Sequence, residues 1–113
     1  MNVAIIIPTY KETENIKFLI KKIFQNISAV EVFIIDDSPS KEISNEIKEF
    51  DNVNYTFRGK KMGRGSAVIA GMKGAIKNEN NKIFIEMDAD LSHEPNEIRE
   101  KLAYFSENSC EML

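Results

Sequence analysis

Apolar residues alternate between two kinds of run along this chain. Val3 to Ile7 is continuous, apolar and mostly β-branched, the pattern of a strand buried on both faces, as in a parallel sheet. Pro8 stops the run and a polar loop, Thr9 to Thr13, follows. Ile16, Leu19, Ile20, Ile23, Phe24 and Ile27 then recur at helical spacing, predicting an amphipathic helix with Thr13 as its N-cap. Val32 to Ile35 is a second buried strand, ending in Asp36-Asp37. The turn Ser38-Pro39-Ser40 leads to a shorter helix with Ile43, Ile47 and Phe50 on one face.

Val53 to Phe57 alternates apolar and polar residues, which predicts a half-exposed strand at a sheet edge. A basic loop, Arg58 to Gly65, leads into a helix over Ser66 to Lys77, whose Ala67, Ala70, Gly71, Gly74 and Ala75 permit close packing on a sheet. Ile83 to Met87 is the fourth strand, and Pro95 opens a last helix with Ile98, Leu102 and Phe105 inward. Strands alternating with helices predict right-handed βαβ crossovers: an α/β, mainly parallel, Rossmann-like sheet with helices on both faces.

Composition narrows the class without naming a function. The 113 residues are 42% apolar and 29% charged, as in a globular domain rather than a disordered chain. A net charge of −3 gives no basic field for nucleic acid or an anionic membrane. Lys17, Lys21 and Lys22 lie off the apolar stripe of their helix and read as a solvated face. No apolar run approaches the ~20 residues that span a bilayer. The first residues lack the basic leader of a signal peptide. The single cysteine, Cys110, allows no intrachain disulfide and fits a reducing, cytoplasmic setting.

Candidate chemistry gathers at strand ends, where ligands of doubly wound sheets bind. Asp88 and Asp90, spaced i, i+2 at the end of the fourth strand, project the same way in an extended segment. Without a cation they would repel by about 3 kcal/mol at ~5 Å and an effective dielectric of ~20. Mg²⁺ or Mn²⁺ carrying substrate phosphates suits such a pair; capping of the next helix by Asp90 is the structural alternative. At Asp36-Asp37, at least one carboxylate faces the crevice and could accept from a ribose or a base, unless the pair only builds an Asx turn before Pro39. Tyr10 and Glu12 could stack on a base and bind its edge, though loop residues of these types are often merely exposed. Lys60, Lys61 and Arg64 suit a diphosphate or a lipid phosphate, or form a solvated charge run. His93, the only histidine, could meet a phosphate or steady its turn. Gly63-Arg64-Gly65 is not a dinucleotide fingerprint: it follows the third strand, and Val68 stands where a third glycine belongs.

The segments IIIPTYKETENI, FIIDDSPS, KKMGRGSAVIAGMKGA and IEMDADLSHEP have the order and spacing of family 2 glycosyltransferases. MDADLSHEP with PTYKETENI most resembles the polyprenyl-phosphate (dolichyl-phosphate) mannosyltransferases. The resemblance implies a GT-A nucleotide-sugar-binding fold, GDP-mannose as donor, Mg²⁺ or Mn²⁺, and inverting transfer to a polyprenyl phosphate. It implies a membrane surface only through that lipid, at the cytoplasmic face. By position, Pro8, Tyr10, Glu12, Ile35 and Asp37 would hold the nucleoside, and Asp88, Ala89 and Asp90 would meet its diphosphate. Asp90 would be the catalytic metal ligand, helped by Asp88 and Ser92, with Lys60 and Arg64 as phosphate contacts. The family's second strand commonly runs on as DDGSPDGT, whereas Ser38-Pro39-Ser40-Lys41 lacks those glycines. The resemblance further implies that residues 1–113 are the N-terminal part of one transferase domain, truncated at its C-terminal side. Two other functions compete: a non-catalytic nucleotide-binding half, and a family 2 enzyme with another sugar or acceptor. A phosphoacceptor receiver domain fits poorly, since its acidic pair belongs where Pro8-Thr9-Tyr10 stands.

Overall fold

A computed structural model of the chain describes residues 2–11 and 15–87. Four parallel strands, β1 (Asn2–Thr9), β2 (Val30–Asp36), β3 (Val53–Phe57) and β4 (Asn81–Glu86), alternate with α1 (Ile16–Asn26), α2 (Glu42–Ile47) and α3 (Arg64–Ala75). The strand order is β3-β2-β1-β4. The chain therefore builds outward from β1 to β3, then returns to add β4 on the other side of β1. That reversal between β1 and β4 is the place where such sheets open a crevice at their carboxyl ends.

Alternation along the strands sends their side chains into two cores. Val3, Ile5, Ile7, Val32 and Ile34 join Ile16, Leu19, Ile20 and Ile23 of α1 and Ile43 and Ile47 of α2 on one face. Ala4, Ile6 and Phe33 meet Ala75 of α3 on the other. Helices thus cover both faces, and the continuous apolar runs of β1 and β2 follow from this double burial. On α3, Ala67, Gly71 and Ala75 form the buried stripe at i, i+4 and i+8, while Ala70 and Gly74 sit to its side. A Cβ on Gly71 would come 2.5 Å from Ile6 Cγ2, so the helix reaches the sheet only because that atom is missing. β3 is the edge strand, half-buried residues alternating with exposed ones.

Several boundaries differ from the sequence expectation, each for a local reason. β1 runs through Pro8 to Thr9. Odd residues of β1 bond to β2, as in Val3 N–H to Ala29 O and Asp37 N–H to Thr9 O. The missing N–H of Pro8 therefore faces the β4 side, where pairing has already ended at Ile6 and Glu86, and its absence breaks no ladder bond. Met87 lies one residue past β4 yet donates its N–H to Ile6 O at 3.0 Å. α1 has Asn15 at the N-cap position without a side-chain cap; Thr13 lies outside the described residues. α3 starts two residues before the expected Ser66, behind Gly63, whose φ of 95° only glycine adopts without strain. The expected helix after Pro95 lies outside the described residues.

Candidate functional site

The carboxyl ends of β1, β2 and β3 carry a hydrogen-bonded cluster of acidic, hydroxyl and cationic groups. Asp36, last in β2 and fully buried, is met by three neutral donors. Thr9 Oγ1 (3.1 Å) and the Ser38 N–H (3.0 Å) reach Oδ1, and Tyr55 Oη (2.6 Å) reaches Oδ2. The Ser38 bond is an Asx turn of the kind expected before Pro39, so this carboxylate fastens β1, β2 and β3 together. Burial and then the Asp36 contact push the Tyr55 phenol well above its ordinary range.

Asp37 is treated differently. It lies one residue past β2, and Arg58 one residue past β3; Asp36 pairs with Phe57 in the ladder, so parallel register makes the two neighbours. Arg58 grips the Asp37 carboxylate with both arms of its fork, Nε to Oδ1 at 2.6 Å and Nη2 to Oδ2 at 2.8 Å. The Met62 N–H adds 3.1 Å to Oδ2. Arg58 is the first cause holding the Asp37 carboxyl below the usual range, against the opposing effect of burial. Oδ1 keeps an acceptor position unused by the described residues, which a ligand hydroxyl or N–H can take.

The loop after β1 closes on the same place. The Lys11 N–H donates to Ser38 Oγ at 2.7 Å, and Lys11 has a φ of 58°. A left-handed non-glycine residue costs about 1–3 kcal/mol and persists only where its surroundings hold it; here the Ser38 bond does. A cleft of about 260 Å³ opens beside this bond, lined by Lys11, Ser38, Pro39, Ser40, Glu42 and Ile43. The Lys11 and Lys61 ammonium groups stand 5.3 and 5.2 Å from the centre of the Tyr10 ring, within cation–π range.

The expected nucleoside and phosphate residues sort as follows. Tyr10 and Asp37 share this edge, bridged by the basic loop, and Pro8 is half-buried beside them. Ile35 is buried, and its side chain packs toward Gly71, so only its backbone is available to a ligand. Lys60 is exposed, and Arg64 pairs with Glu86 at 2.6 Å, over the end of β4. Glu12, Asp88, Ala89, Asp90, Ser92 and His93 lie outside the described residues. Asp88 follows directly on Met87, which is pinned to β1 at the reversal of strand order. Among the described residues no group of three acidic, histidine or cysteine side chains could hold a metal ion. Arg58 and Tyr55 were not foreseen as parts of this edge, and Thr9 was foreseen only as the middle of the strand-end motif Pro8-Thr9-Tyr10. Position was a signal for two of the three, since Thr9 ends β1 and Arg58 adjoins β3, whereas Tyr55 lies in the middle of β3; their meeting depends on a register that the sequence does not display.

The chain has relatives among known proteins. The chain is 39% identical over 100 residues to the dolichol-phosphate mannosyltransferase of Pyrococcus furiosus, a match covering 84% of this chain and 27% of that protein. It is 32% identical over 99 residues to the polyprenol monophosphomannose synthase of Mycolicibacterium smegmatis, covering 83% and 37%. It is 29% identical to the undecaprenyl-phosphate mannosyltransferase of Micrococcus luteus, covering 87% and 42%. It therefore spans well under half the length of these relatives. The crystal structure of S. aureus TarS superposes with a TM-score of 0.75 at 19% identity, over 96% of this chain and 20% of that one, which supports a GT-A type α/β fold. The description "Glycosyl transferase family 2" matches residues 4–113. With this sheet, this strand order and that match, the chain belongs to glycosyl transferase family 2.

Proposed function

We propose that this chain forms the donor-binding part of a transferase that moves mannose from GDP-mannose to a polyprenyl phosphate. The observation that carries the reading is the reversal of strand order between β1 and β4. It sets the carboxyl ends of β1 and β4 side by side, so that the loop holding Tyr10 and the residues following Met87 would flank one crevice, with Asp37 one strand away. The names of the mannosyltransferase relatives support the sugar and the lipid class. The relatives extend well beyond the matched region, and further acceptor contacts would come from that part. The lipid substrate would bring the protein to a membrane surface; no helix among the described residues is long and apolar enough to cross one.

In this reading the chain's own residues do distinct work. Tyr10 and Glu12 take the base, and Asp37, kept charged by Arg58, takes a ribose hydroxyl through its open acceptor position. Asp36 is committed to neutral donors and Asp37 to Arg58, so a divalent cation needs carboxylates from elsewhere. Asp88 and Asp90, with the Ser92 hydroxyl, are a hard-oxygen donor set that suits Mg²⁺ or Mn²⁺. When bound, the ion would offset negative charge on the departing nucleoside diphosphate. The acceptor phosphate is already anionic, so the chain need not supply a strong base.

Titrating the chain with GDP-mannose, GDP and UDP-glucose, with and without Mn²⁺, tests the proposal. Tight binding of the guanine nucleotides that depends on Mn²⁺ and is lost in Asp90→Asn is expected. Metal-independent binding, or unchanged affinity in that variant, would refute Asp90 as the ligand. Preference for UDP-glucose would overturn the donor assignment.

A further inference from the structure

We propose that Arg58 is a positioning residue of the donor crevice: by clamping Asp37 and the loop after β3 together, it delivers Lys61 to Tyr10 as a contact for ligand phosphate. The inference rests on the donor-binding reading above. It concerns a residue that the family resemblance did not single out.

The guanidinium makes four contacts on three segments. Two go to Asp37 after β2 (2.6 and 2.8 Å), one to Ser66 Oγ in the first turn of α3 (2.8 Å), and a long one to Gly63 O (3.5 Å). Asp37 in turn accepts from the Met62 N–H. The loop is therefore held at two consecutive residues, at Met62 through Asp37 and at Gly63 through Arg58. Lys61 is the residue immediately before that anchor, and its ammonium lies 5.2 Å from the Tyr10 ring centre. The loop spans only Arg58 to Gly63 between β3 and α3, and its two glycines, Gly59 and Gly63, carry positive φ, 76° and 95°. So tight a path leaves Lys61 little freedom once its C-terminal neighbour is fixed.

Two ammonium groups, from Lys11 and Lys61, then face one aromatic ring. The ring offsets part of their repulsion, and an anion offsets more. The anionic chemistry at hand is a phosphate, of the nucleotide donor or of the lipid acceptor. A planar fork is required for the clamp: a lysine at position 58 could not span both oxygens of Asp37 and still reach Ser66.

The test uses Arg58→Gln, Arg58→Lys and Lys61→Gln, titrated with GDP, guanosine and a short-chain prenyl phosphate. Trypsin cleavage after Lys60 and Lys61 is followed in parallel, with cleavage after Lys21 and Lys22 in α1 reporting global opening. Lys61→Gln is expected to weaken GDP by about tenfold or more, the effect of losing one charge-assisted contact, and to leave guanosine unchanged. Arg58→Gln should weaken GDP more than guanosine and speed cleavage in the loop more than in α1, and Arg58→Lys should not restore either. If the two Gln variants weaken the prenyl phosphate in place of GDP, Lys61 still contacts phosphate, and the phosphate is the acceptor's. Loss of GDP and guanosine in equal measure, with cleavage rising equally at both places, would reduce Arg58 to a general stabiliser and overturn the proposal. Wild-type protein that binds neither phosphate ligand would overturn Lys61's role together with the donor reading. The cleavage ratio would still decide whether Arg58 holds the loop.

Discussion

Strand β2 has a carboxylate near each end, and the two ends use them for different purposes. At the N-terminal end, Glu31 accepts from three asparagine amides: Asn81 (3.0 Å) and Asn78 (3.4 Å) on Oε1, and Asn54 (2.9 Å) on Oε2. Burial pushes its carboxyl up, but these neutral donors outweigh burial and it ends below the ordinary range. Every partner is a turn or strand-end residue of β3 or of the stretch leading into β4, so the group ties off the closed end of the sheet. At the C-terminal end, Asp37 is met by a cation in a largely buried pair, and among the described residues it keeps an open acceptor position. Neutral donors satisfy a carboxylate and leave little residual field. A cation fork orients it, keeps it charged and carries a second element with it. That difference distinguishes a fastener from a candidate binding group among acidic residues at the ends of one strand.

Neutralising each carboxylate in turn would break the comparison or sharpen it. The largest effect is expected from Asp37→Asn, which leaves the Arg58 charge half-buried without its partner, at a cost of about 3 kcal/mol in a denaturant melt. GDP affinity should fall in the same variant. The sign of the pH dependence follows from the depressed carboxyl. Its contribution is fully present above the unfolded value near 3.8 and is lost as the pH falls through the lower folded value, so Asp37→Asn should flatten stability in that acid window. A melt with unchanged acid sensitivity would remove Asp37 from this role.

Gly71→Ala comes next, expected to cost about 1–3 kcal/mol through overpacking against Ile6. α3 touches both ends of the sheet, through Arg58 to Ser66 at its start and through Asn81 to the carbonyl of Ala75 at its last residue. Hydrogen exchange should therefore rise at both ends together. A rise at one end only would show that the helix does not couple them. The smallest effect is expected from Glu31→Gln, which keeps one acceptor oxygen and should lose no more than about 1 kcal/mol with GDP affinity unchanged. Lowered GDP affinity there would mean that the closed end also shapes the crevice.

Much of the fold was legible in the chain itself. The alternating pattern of Val53–Phe57 identified an edge strand, and the unbroken run at Val3–Ile7 identified a strand covered on both faces. Small residues at Ala67, Gly71 and Ala75 announced a helix in close contact with a sheet. These features depend on what lies within a few residues, so periodicity reveals them. The two acids at 36 and 37 were legible only as a pair. Which of them is buried among neutral donors and which meets a cation depends on Thr9, Tyr55 and Arg58, residues 19 to 27 positions away for Asp36 and 21 for Asp37. The basic loop posed the same difficulty. Lys60, Lys61 and Arg64 are equivalent in composition, yet Lys61 stands at Tyr10 while Arg64 pairs with Glu86.

By itself, then, the sequence determined the kinds of element, their order, the two-faced burial of the sheet and, through its motifs, the family. Those properties are local or nearly so: side-chain period, turn chemistry and short runs of residue types. Only the tertiary structure decided that β4 returns to the far side of β1, that Asp37 and Arg58 become neighbours, and that Lys61 reaches Tyr10. Parallel pairing is set by register between distant segments, and a side chain's electrostatic role is set by whatever that register brings beside it.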